Sequence, residues 1–141
     1  MKRGGEQGFT LIEALIALLV LSIGLLGVAA MQLKSLQGAH AAYQRSIATL
    51  AAQDAQERLW AQMALDSDCP IWGSDSETSS LANDTDWEQE WAKYLPGFAD
   101  ASGVEENSNC EFTITISWNE TRFSGEGDNP EFTYRIRLPQ K

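Results

Sequence analysis

Apolar residues crowd the start of the chain and thin out after it. From Ala14 to Met31 there are 18 residues without a charge, and Ser22 is the only clearly polar one. With its flanks, a run of that length crosses a bilayer. One carboxylate, Glu13, stands at its entrance. Such a charge costs roughly 2.5–3.5 kcal/mol in mid-membrane and less toward a helix end. The helical pattern does not stop at Met31. Residues 32–65 hold no proline and many good helix formers. Leu33, Leu36, His40, Tyr43, Ile47 and Leu50 follow a 3-4-3-4-3 spacing and share one helix face. Asp54 and Glu57 then make that seam polar, and apolar positions move round to Ala48, Ala52, Ala55, Leu59 and Met63. The pattern predicts one helix from about Phe9 to about Leu65, roughly 85 Å long at 1.5 Å per residue. Its second half is amphipathic and needs a surface to cover it.

After Leu65 the period changes. Residues 66–110 are mostly acidic loop, rich in Asp, Ser, Asn and Thr. Within them "TDWEQEWAKYLPG" predicts a short helix at about 85–95, with Trp87, Trp91 and Leu95 on one face. Thr85 and Glu88 fit a capping box, and Pro96-Gly97 ends the helix. Residues 98–110 read as loop, and the pattern does not fix how many further strands form in 66–110 or 119–130. In residues 111–141, "EFTITISW" and "EFTYRIRL" alternate apolar and polar positions and predict an antiparallel pair of strands. Their apolar face needs a cover, and the only large one is the amphipathic half of the long helix. The expected fold class is therefore α+β, a long N-terminal helix packed on a small antiparallel sheet.

Charge narrows the function. The chain carries −10 overall. Between Asp66 and Glu131 there are 16 acids against two bases, Lys93 and Arg122, a net of −14. That surface repels nucleic acid and fits a solvated, exported domain. "DSD", "SDSE" and "DTD" could bind Ca²⁺ weakly, but the ordered calcium loop with its central Gly and terminal Glu is absent. With His40 the single histidine, no catalytic triad and no zinc site can be assembled, and no cofactor or enzymatic activity is expected. Cys69 and Cys110 pair if the domain reaches an oxidising compartment; otherwise they are two reduced, buried thiols. Closing that loop of about 40 residues contributes roughly 4 kcal/mol in the chain-entropy model.

The N-terminus admits two readings. Lys2 and Arg3, the apolar core and "VAA" at 28–30 fit an ordinary signal peptide cut before Met31, which would leave a secreted or anchored binding module. Against this, the leader up to Gly8 is very polar, Glu13 enters early, and the helical pattern runs through Met31. The second reading explains all three. "GFTLIEALIALLVLSIGLLG" resembles the N-terminus of type IV pilin-like precursors, shared by type IV pilins and type II secretion pseudopilins.

The resemblance implies that a prepilin peptidase removes residues 1–8 by cutting between Gly8 and Phe9 and N-methylates Phe9. Residues 9–31 then remain as the membrane and filament-core helix, and residues 32–65 as its amphipathic continuation. Glu13, the fifth residue after the cut, would register one subunit against the next. "IGLLGVAAMQLKSLQ" and "ATLAAQDAQERLWAQ" are similar to the V-type minor pilins. Major pilins commonly carry a proline near the position of Ala30, and this helix has none. The implied function is a minor pilin at or near the pilus tip that helps initiate assembly and display a tip adhesin. A type II secretion pseudopilin of the I-type is the alternative. The implied partners are other minor pilins, the major pilin, the inner-membrane assembly platform and a tip adhesin. The location follows: a single inner-membrane pass with the domain periplasmic, then the pilus. Lys2 and Arg3 stay cytoplasmic under the positive-inside rule.

Overall fold

A computed structural model describes residues 9–66, 68–73, 82, 84–98, 102–120 and 129–139. The chain divides into two units, one up to His40 and one from Ala41 onward. Helix α1 is Leu11–Asp66 and belongs to both. Helix α2 is Asp84–Trp91, and strands β1 (Gly103–Asn107), β2 (Glu111–Ser117) and β3 (Glu131–Arg137) follow.

In the first unit no described residue covers the helix. Every large apolar residue from Leu11 to Met31 is more than half exposed. By length and composition the segment can cross a membrane, and none of its most apolar window is buried. A helix from a soluble core would bury that window.

The second unit is an α+β domain. The sheet order is β1-β2-β3 with both pairs antiparallel. Phe112, Ile114 and Ile116 on β2 are fully buried, and Phe132, Tyr134 and Ile136 on β3 pack beside them. The covering face of α1 is Ala48, Ala51, Ala52, Ala55 and Leu59, all essentially inaccessible. Four alanines in that row leave room for large side chains from the rest of the domain. Trp87 fills the space, and its Nε1 donates to the Ala51 carbonyl at 3.1 Å. Its ring meets Phe98 edge-on at 4.9 Å and Trp72 at 5.6 Å. Such pairs contribute about 0.5–1.5 kcal/mol beyond area burial. Gln44, also buried, accepts from Trp118 Nε1 at 3.2 Å.

Three expectations need correction. The segment 103–107 is a strand, where a loop was expected. "GVEEN" has one apolar residue to alternate with, Val104, so its pattern is silent, and pairing with β2 makes it a strand. The Ser102 and Ser117 side-chain and backbone bonds continue that pairing by one rung. Helix α2 ends at Trp91 and continues as turns to Leu95, rather than as helix. It begins at Asp84, so Thr85 lies in the first turn and not at the cap. The third correction concerns the Leu33–Leu50 seam. Leu33, Leu36, Tyr43 and Leu50 remain at least half exposed, because the alanine row takes the sheet.

Pro96-Gly97, expected to end the helix, lies beyond its end at Trp91, in the turns that follow. Gly97 has φ 73°, and a Cβ there would lie 2.6 Å from Asn119 Nδ2. The neighbouring Pro96 carbonyl accepts from the Asn119 amide at 2.7 Å, which fixes this approach.

Candidate functional site

The candidate site is the start of α1. The Thr10 carbonyl accepts from the amides of Glu13 at 3.1 Å and Ala14 at 3.2 Å, so the first turn closes directly behind Phe9. Glu13 lies in that turn. Four amides at a helix start lack intrahelical acceptors and carry partial positive charge, which favours a carboxylate there. Glu13 is therefore a first-turn acid rather than a charge within the apolar run. It is exposed, as is Phe9. Gly8 and the rest of the leader, 1–8, lie outside the described residues.

Residues 3–29 match the family described as the prokaryotic N-terminal methylation motif. The motif supports a type IV pilin-like protein. It implies processing by a prepilin peptidase and assembly with other pilins, in a pilus or a pseudopilus. The motif's family is structural rather than enzymatic, and with the apolar helix it fits membrane anchoring. No curated protein matches the chain, and no solved structure does.

The other residues singled out by sequence lie in the domain. Cys69 and Cys110 form a disulfide, with Cα atoms 5.7 Å apart. It ties the segment after α1 to the turn between β1 and β2. That turn is tight: Asn109 and Cys110 both take positive φ, 64° and 57°. Asparagine tolerates this conformation and cysteine does so rarely. The bond to Cys69 and the hydrogen bond from the Leu138 amide to the Cys110 carbonyl, 3.0 Å, hold it there.

Sequence reasoning passed over Trp72. It packs against both core clusters, meets Trp87 and donates from Nε1 to Asp84 Oδ1 at 2.8 Å. Its place three residues after Cys69 was the available signal. Asp84 also acts on Glu88: burial first, and then the Asp84 charge, push the Glu88 carboxyl above its ordinary range. Among the described residues no three His, Cys, Asp or Glu side chains gather to hold a metal ion. Of the acidic calcium candidates, "SDSE" at 74–77 and Ser67 lie outside the described residues.

Proposed function

We propose that the chain is a minor pilin of a type IV pilus, placed at or near the tip, where it helps initiate assembly and display an adhesin. The methylation motif at residues 3–29 carries this reading. It leads into an apolar helix that no described residue of the first unit covers. The similarity of residues 23–37 and 48–62 to V-type minor pilins favours the pilus over a secretion pseudopilus. On this reading the peptidase cuts between Gly8 and Phe9, the Phe9 amine is methylated, and residues 9–31 anchor the subunit before it enters the filament. The periplasmic domain then meets the other minor pilins, the major pilin, the assembly platform and the adhesin.

Glu13 gains its role from the cut. Cleavage creates an amine four residues away, about one helical turn. That amine, of the same or an adjacent subunit, neutralises the carboxylate when subunits stack. Loss of one partner leaves a charge buried alone, a cost of about 3–5 kcal/mol. Glu13→Ala is expected to be cleaved normally and to enter filaments poorly, read by comparing membrane and sheared-filament fractions. Normal incorporation would overturn that role.

Mass spectrometry of the mature N-terminus tests the processing. Methylated Phe9 is expected, and a chain starting at Met31 would overturn the reading. A deletion that abolishes protein secretion while sparing piliation and twitching would move the chain to the pseudopilus.

A further inference from the structure

One row across the sheet ends in opposite charges, Glu105 on β1 and Arg135 on β3. β1 and β3 are the edge strands of the three-stranded sheet, and no described strand or backbone group pairs with their outer sides. Register sorts their side chains into rows. Glu105 on β1 aligns with Thr113 on β2, and Thr113 with Arg135 on β3. Asn107, Glu111 and Arg137 form the next row, and Gly103, Thr115 and Thr133 the one before. On this outer face β1 carries one carboxylate, Glu105; β2 carries Glu111, Thr113, Thr115 and Ser117; and β3 carries Glu131 at its start and Arg135 and Arg137 toward its end.

The end residues of the first row are exposed. Glu105 and Arg135 make no ion pair with any described residue. Thr113 and two strand spacings of about 4.8 Å separate them within one copy. Arg137 differs, because Glu111 Oε2 accepts from it at 2.9 Å. β3 is also a long edge, seven residues of "EFTYRIR" with none fully buried. An edge of that kind is a template for another strand unless something covers it.

We propose that the β3 edge of one copy docks on the β1 edge of a second copy, extending the sheet from molecule to molecule. The occupant follows from charge. The complementary edge for Arg135 has to offer a carboxylate on the same face of a short strand, and β1 of this chain offers Glu105 there. In the joined sheet Arg135 lies directly across from the neighbour's Glu105, at cross-strand distance, instead of two strands away. Opposite charges directly across strands stabilise the pair, and like charges destabilise it. The two edges differ, so the contact is head-to-tail and leaves a free edge at each end of the row. β1 and β3 run parallel within one copy, because each is antiparallel to β2. Copies related by translation would therefore pair in parallel. The net charge of −10 repels copies at long range. The contact therefore forms where copies are held side by side, as membrane helices hold them. It does not depend on whether the final assembly is a pilus or a pseudopilus.

Hydrogen exchange of the full chain, densely reconstituted in liposomes and compared with a detergent-dispersed monomer, tests the contact. Amides in 103–107 and 131–137 are expected to exchange at least about tenfold more slowly in the liposomes, as buried ladder bonds do. Glu105→Arg alone, or Arg135→Glu alone, is expected to abolish the slowing, and the two together in one chain to restore it. Arg135→Lys is expected to keep it. Both positions are on exposed strand surface, and near-UV circular dichroism checks that each variant is folded. Equal exchange in the two preparations would overturn the proposal. So would slowing that ignores both charge reversals, or slowing confined to α1 and the exposed Leu50 and Tyr94.

Discussion

α1 is one helix with two different surfaces. Up to His40 it carries Leu, Ile and Val on every side, all open. From Ala41 its buried face is mostly alanine, and the large groups that fill the core come from elsewhere: Trp87, Phe98, Phe112, Ile114 and Ile116. The difference reflects the partner each half serves. The first half is long and apolar enough to cross a membrane, where bulk projecting outward suits a surrounding apolar medium. The second half meets its own domain, where small residues leave room for large side chains from the rest of the domain. A buried alanine is thus as informative here as an exposed leucine.

The comparison breaks most readily at Trp87. Trp87→Ala should lower domain stability by about 3–5 kcal/mol, through lost burial and an unfilled cavity. Leu21→Ala, an equally apolar loss on the open half, should change it by less than about 0.5 kcal/mol. Denaturant unfolding of the full chain, followed by near-UV circular dichroism, reads both. Equal effects would mean that the two halves do not differ as described.

Cys69→Ser with Cys110→Ser comes next, at about 2–4 kcal/mol in the same measurement. The chain-entropy model puts the loss near the top of that range for a separation of 41 residues. The effect should exceed loop closure alone if Trp72 loses its place between the two core clusters. Quenching of tryptophan fluorescence by iodide would rise in that case.

Gly97→Ala sharpens the picture on a smaller scale. It forces a side chain into a left-handed position and against Asn119, at a cost of about 1–3 kcal/mol. Gly24→Ala and Gly27→Ala meet open space in α1. They should be neutral or slightly stabilising, since glycine is worth about 1 kcal/mol less than alanine in a helix.

The smallest effect is that of pH on Glu88. Its folded carboxyl titrates above the ordinary 4.5, by burial and then by Asp84. The folded state therefore holds this proton at pH values where the unfolded chain has lost it. Stability from this group is present below the unfolded value and falls as pH rises through the folded one. Glu88→Gln should flatten that slope just above pH 4.5. An unchanged slope would assign the dependence to other acids.

Several features were legible from residue order alone. The apolar run, the absence of proline and the unbroken period mark out α1. Strict alternation in "EFTITISW" and "EFTYRIRL" marks out β2 and β3 to within a residue of their ends. The N-terminal stretch carries a motif recognisable without any fold. β1 was not legible, because "GVEEN" becomes a strand only through its neighbour. The face of α1 that the domain takes was legible only in its later turns: Ala48, Ala52, Ala55 and Leu59 are buried, whereas Leu33, Leu36, Tyr43 and Leu50 stay exposed. The Leu33–Leu50 seam is the more apolar stripe, and the alanine row is the one that is covered.

Residue order is enough to show where the chain can enter a membrane, where α1, β2 and β3 lie, and which acid stands at the head of the helix. These are local matters of period, propensity and charge. Only packing leaves Leu33, Leu36, Tyr43 and Leu50 open, places Trp72 between two clusters, and sets Glu105 and Arg135 on opposite edges of one sheet. Those depend on which surfaces fit closely at native packing density, and no local pattern encodes that.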